Sequence, residues 1–167
     1  LDASGQVTIS PALVDNGSSD NCAIVFRSLS QNQFGCGDLG ANTVTLTVED
    51  ADGNRDQATA TITVEDNIAP RLTTQNITVQ LDASGQATIA PDDGEASAAD
   101  NCGIVSRTLS QETFGCGDLG ANTVTLTVED ADGNRDQATA TITVEDNIAP
   151  QLTTQNITVQ LGASGQA

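Results

Sequence analysis

Thr123–Val128 (TVTLTV), then Asp130-Ala131-Asp132-Gly133-Asn134, then Ala138–Val144 (ATATITV) is the stretch on which the fold class turns. Apolar and polar side chains alternate strictly in both flanking runs. Alternation with period two is the mark of a half-buried β-strand, because successive side chains point to opposite faces. The threonines and β-branched apolar residues suit a pleated surface. The Asp/Gly/Asn cluster between the runs supplies turn chemistry, so the stretch reads as a β-hairpin.

The same reading extends outward. Thr43–Val48 and Ala58–Val64 repeat the hairpin, and Asn76–Leu81 (NITVQL) and Asn156–Leu161 add a third alternating run. Asp82–Gln86 is a turn, Gly115–Asn122 is a Gly-rich connection, and Asp92–Gly103 is the longest loop-like stretch. No stretch carries apolar residues at helical spacing. LDASGQ stands at Leu1 and again at Leu81, and residues 1–80 differ from 81–160 at only 16 positions. A repeat of this length made of short strands predicts an all-β chain of tandem antiparallel β-sandwich domains. The expected units are residues 1–67, a repeat lacking its first strand; 68–147, a complete repeat; and 148–167, the opening strand of a third. Without Met, and beginning and stopping inside a repeat, the sequence reads as a window on a longer array.

Composition narrows the function. The 167 residues carry 23 acidic groups against five arginines, with no His, Trp or Tyr and a net charge of −18. That charge repels nucleic acid and anionic membranes. Three phenylalanines are too few for stacking platforms. No apolar run is long enough to insert into a bilayer. The acidic residues recur in turns in both copies, and no apolar pocket residues accompany them, which argues against an enzyme.

Cys22 and Cys36 recur as Cys102 and Cys116. The simplest expectation from the repeat is a disulfide within each copy, Cys22–Cys36 and Cys102–Cys116, which implies an oxidising, extracellular compartment. A domain this small needs such a staple.

The carboxylates cluster where a hard cation could sit. Glu65-Asp66-Asn67 ends a repeat; Asp100-Asn101 precedes Cys102; Asp130, Asp132, Asn134 and Asp136 alternate along the hairpin loop. Successive loops of a sandwich alternate between its two ends. The Asp100 loop, the Asp130 hairpin and the Glu65 linker are therefore expected at one joint, where bound calcium would neutralise them and stiffen the junction. Residues 12–19 differ from 92–99 at every position, as an unconstrained or an interacting loop would.

Asp100-Asn101-Cys102-Gly103, then Phe114-Gly115-Cys116-Gly117-Asp118-Leu119-Gly120, then 122–134 and 140–150, together resemble the HYR-type immunoglobulin-like repeat. The resemblance implies an extracellular module of very large bacterial surface adhesins and filaments used in attachment, gliding or prey capture. Its partners would be neighbouring repeats, other copies in a filament, and a cell or surface target. The linker Glu65–Pro70 is also similar to the calcium-binding cadherin junction, though it lacks that motif's upstream Asp-x-Asn. A laterally assembled filament and a carbohydrate-binding module are the alternatives to a stalk.

Overall fold

The computed structural model describes residues 1–161, 163 and 164. Gly162 and residues 165–167, the end of the expected third opening strand, lie outside the described residues. The first repeat contains β1 (Gln6–Thr8), the short helix α1 (Pro11–Val14), β2 (Ile24–Leu29), β3 (Gln33–Gly35), β4 (Gly40–Asp50) and β5 (Arg55–Val64). The second contains β6 (Arg71–Thr74), β7 (Ile77–Gln80), β8 (Gln86–Thr88), β9 (Glu95–Ala99), β10 (Ile104–Leu109), β11 (Thr113–Gly115), β12 (Gly120–Asp130) and β13 (Arg135–Glu145). The chain is all-β, as the alternation predicts.

In the second repeat a four-stranded sheet, in the order β10-β12-β13-β7, is covered by two short pairs, β8–β11 and β6–β9. The β12–β13 hairpin pairs Gly120 with Val144 at one end and Glu129 with Arg135 at the other. One pairing departs from the antiparallel expectation: β7 runs parallel to β13. Both strands travel from the joint with the first repeat toward the far end, so their shared direction follows from where the linker enters.

Two apolar clusters fill the space between the layers. Leu81, Ile89, Phe114, Val124, Ala140, Ile142 and Val144 form one, and Leu72, Leu126 and Val128 the other. These are the residues on one side of each alternating run, so the pattern translates directly into the core. The first repeat has a smaller cluster of Phe34, Val44 and Val64.

Two expectations change. Residues 92–99 are not simply loop: Pro91–Asp93 is a 3-10 turn, and Glu95–Ala99 is β9, paired with β6 from Arg71↔Ala99 to Thr74↔Glu95. Alanine and serine in EASAA hide a strand that a propensity reading passes over, because its partner rather than its composition holds it extended. Residues 11–14 form one helical turn opened by Pro11, whose fixed φ suits a first helical position. The variable segment is also tied down chemically. Asp15 and its counterpart Glu95 each bind the arginine of the neighbouring strand, Arg27 and Arg107 respectively. Hydrogen bonds from Ser18, then from Arg27, lower the Asp15 carboxyl to about 2.

Candidate functional site: the joint between repeats

The loops assemble the joint from both sides. From the first repeat come the Asp2–Gly5 turn, Cys36 and the linker at Asp66. From the second come the Asp100-Asn101-Cys102 loop and the β12–β13 hairpin tip.

The covalent connection differs from the expected pairing. Cys36 is bonded to Cys102, with Cα atoms 5.2 Å apart across a sequence separation of 66, whereas Cys22 and Cys116 are free and exposed. Strand register explains why Cys22–Cys36 and Cys102–Cys116 cannot form. Pairing of β2 with β4 sets Ile24 beside Asp50, so Cys22 sits at the end where β4 finishes. Cys36 leads into Gly40, where β4 begins. Eleven residues of strand separate those ends, about 35 Å at 3.3 Å per residue, far beyond disulfide reach. The Cys36–Cys102 staple therefore joins one repeat to the next.

Gly5 makes that approach possible. Its φ is +70°, and a Cβ built there would lie 2.5 Å from Cys36 Sγ and 2.8 Å from the Asn101 carbonyl oxygen. Gly5→Ala is therefore expected to push the two repeats apart and weaken or prevent the bridge. Thiol titration under native conditions should rise from two toward four free thiols per chain. Gly37→Ala has open space around its Cβ and should leave the count at two. An intact Cys36–Cys102 bridge of unchanged stability in Gly5→Ala would refute this account of the contact.

Beside the disulfide lies the carboxylate cluster. One oxygen from each of Asp66, Asp100 and Asp130 falls within 4.8 Å of the other two. Asp66 and Asp130 are each 2 % exposed. The backbone aims these groups. Asp130 Oδ1 accepts the N–H groups of Asp132 and Asn134, and its Oδ2 accepts from Asn134 Nδ2. Asp100 Oδ2 accepts from the N–H groups of Cys102 and Gly103. Asp66 Oδ1 takes Ile68 N–H, and Asp66 Oδ2 takes Asn101 Nδ2 at 2.9 Å. Asp66 N–H donates to Asp132, and Asn134 Nδ2 donates to the Asp66 carbonyl. Among the described residues, two buried side-chain oxygens have no partner, and both lie here: Asp100 Oδ1 and Asn101 Oδ1.

Of the residues singled out in the sequence, Asp66, Asp100 and Asp130 come together, with Asn101, Asp132 and Asn134 bonded around them. Glu65 and Asn67 are exposed. Asp136 is engaged elsewhere: its Oδ2 accepts the Leu72 N–H at 2.9 Å and anchors β6. The remaining turn carboxylates act as turn formers. Asp2 and Asp82 each bind the hydroxyl and N–H of the serine two residues on, and these bonds hold both carboxyls below the usual range.

Three carboxylates this close, two of them buried and Asp100 half-buried, repel one another when ionised, and no cationic side chain is paired with them among the described residues. A bound divalent cation would offset that repulsion. The donor set is all oxygen, carboxylate and amide, which suits calcium rather than zinc.

No family model matches the chain, and no curated protein matches it. Among solved structures, an endo-fucoidan hydrolase of glycoside hydrolase family 107 resembles it with a TM-score of 0.30 and 13 % identity, over 72 % of this chain. The chain spans 28 % of that enzyme's length. Among the described residues, no helix is long and apolar enough to cross a membrane.

Proposed function

We propose that the chain is a structural repeat module of a long extracellular surface fibre or adhesin, serving as stalk rather than as catalyst or sugar binder. The observation that carries this reading is the joint. A disulfide and a largely buried carboxylate triad lie side by side between two repeats, where a rod is strengthened and where a free-standing binding domain needs nothing. A disulfide suits an oxidising compartment, and the resemblance of the sequence pattern to HYR-type repeats is what points to a bacterial surface setting. Residues 148–161 carry the opening sequence of a further repeat, in keeping with an array.

In this proposal Asp66, Asp100 and Asp130 hold calcium, with the unpartnered Asn101 amide oxygen near the cluster. Thermal unfolding of the oxidised chain tests it. Calcium at about 100 times its dissociation constant should add about 2.7 kcal/mol; equimolar magnesium should add much less, since it prefers a tighter octahedron and gives up water reluctantly. Asp100→Asn should weaken calcium binding at least tenfold by titration calorimetry. Identical melting in calcium and chelator would remove the metal from the proposal. Small-angle scattering tests the stalk itself: the oxidised chain should keep one interdomain distance, and free swivelling in the oxidised, calcium-loaded state would sink the reading.

A further inference from the structure

The disulfide and the carboxylate cluster share one loop. Asp100 Oδ2 accepts the N–H groups of Cys102 and Gly103 at 2.8 and 2.9 Å, so the carboxylate and the cysteine are fixed in a single turn. Between them, Asn101 faces both neighbours. Its carbonyl oxygen lies 3.4 Å from Cys36 Sγ. Its side-chain Nδ2 donates to Asp66 Oδ2 at 2.9 Å and to the Asp2 carbonyl at 3.3 Å. The Cys36–Cys102 bond thus clamps residues 100–102 against the first repeat. The clamped residues carry one carboxylate of the cluster and hold a second.

The rest of the cluster is anchored without the sulfur. Asp130 is held by its own hairpin, and the linker at Asp66 is bonded to that hairpin through Asp132 and Asn134. The loop 100–102 is therefore the part of the site whose position depends on the bridge. The two buried oxygens that lack a partner, Asp100 Oδ1 and Asn101 Oδ1, both belong to it. In the metal-free oxidised molecule the bond holds Asp100 close to Asp66 and Asp130 against their mutual repulsion. Opening the bond relieves that repulsion. With a divalent cation among the carboxylates the repulsion is already offset, and separating the loop instead costs metal–oxygen contacts.

We infer that the joint is a redox-linked cation site: the Cys36–Cys102 disulfide raises its affinity for calcium, and calcium in turn holds the disulfide closed. The inference rests on the calcium reading of Asp66, Asp100 and Asp130 and adds its regulation. Linkage makes the two effects equal: whatever factor oxidation contributes to calcium affinity, calcium contributes to the ratio of oxidised to reduced protein. Because Asp66 and Asp130 stay in place, the reduced site keeps part of its donor set. A factor of about ten is expected, within the usual range for coupled sites. A tenfold change in that ratio corresponds to a reduction potential about 30 mV lower in calcium than in chelator.

The opening step is thiol–disulfide exchange with a small dithiol such as dithiothreitol, which the half-buried Cys36 and Cys102 admit. One dithiol thiolate attacks Sγ of either cysteine and expels the other cysteine as thiolate. The second dithiol sulfur attacks the mixed disulfide, closes a cyclic disulfide and expels the remaining cysteine. The dithiol is oxidised by two electrons, and its two protons end on Cys36 and Cys102.

The test titrates calcium by calorimetry into the oxidised chain, the dithiol-reduced chain and Cys36→Ser, which removes the bridge and leaves residues 100–103 intact. The dissociation constant should rise about tenfold on reduction and equally in Cys36→Ser. Reductant should then change nothing further in the variant. Amide exchange of β12 and β13 checks that the second repeat stays folded in each. The unmutated chain gives a second measurement. Equilibrated against dithiol redox buffers, its Cys36–Cys102 bond should show a potential about 30 mV lower in saturating calcium than in chelator, and equimolar magnesium should shift it much less. Equal calcium affinity in the oxidised and reduced chains, with equal potentials, would overturn the coupling and leave the calcium site standing. No calcium binding by the oxidised chain would overturn both. A shift in potential with unchanged calcium affinity in folded Cys36→Ser would also overturn the coupling, because the shift would then report overall stability rather than the loop.

Discussion

Replacing Cys102 by serine is expected to lower the stability of the joined repeats by about 4 kcal/mol, the closure entropy of a loop of this length in the unfolded chain. For a protein of this size that corresponds to a midpoint lower by about 10 °C. The shape of the transition should change as well. With the Cys36–Cys102 bridge intact, the first repeat is tied at its tail to a larger core and should unfold with it. Without the bridge the two repeats should melt separately, the first one earlier. Its apolar cluster is smaller, and its β5 edge is open. Calorimetry of parent and variant reads both effects, and Cys116→Ser in dilute monomer is the control, since Cys116 is unbonded. A Cys102→Ser midpoint within about a degree of the parent would mean that the bridge is incidental to the fold.

Phe114→Ala is expected to cost about 3–5 kcal/mol, the range for emptying a buried aromatic site. Phe114 is 1 % exposed and lies in the cluster of Leu81, Ile89, Val124 and Ile142, whose strands are held on both layers. Such a site cannot collapse around the void. Phe34→Ala, the same change in the first repeat, should cost less. Phe34 is equally buried, but many of its neighbours, including Leu1, Ile9 and Val14, are only partly covered and can close in. Denaturant unfolding of the two variants measures the difference. Equal losses, or a Phe114→Ala cost under about 1 kcal/mol, would show that the core is not organised as described.

The sheet was legible because period-two alternation is a local signal. Val124, Leu126 and Val128 announce their face whatever they touch. The gathering of Asp66, Asp100 and Asp130 followed from the alternation of loops between the ends of a sandwich, with no knowledge of distances. The disulfide did not follow, although its information was present. The repeat suggested pairing within a copy, whereas the antiparallel register of β2 on β4 sends Cys22 and Cys36 to opposite ends. Equal spacing in two copies fits a bond within the repeat and a bond between repeats alike, and only register separates them. Strand β9 was hidden for another reason. Glu95–Ala99 owes its extended form to β6, and the first repeat, without that partner, has coil at residues 15–19.

The Cys36–Cys102 bridge also sets the path of force through the molecule. Tension applied at the two termini crosses from Cys36 directly to Cys102 through sulfur. The backbone between them, which includes β4, β5, the linker and β6 to β9, is removed from the line of pull. Fully stretched, that segment would measure about 220 Å. Under oxidising conditions this length stays stored and cannot be paid out, so a pulled chain breaks off its extension early and remains stiff. A reductant releases the stored length, and the same chain becomes an extensible tether.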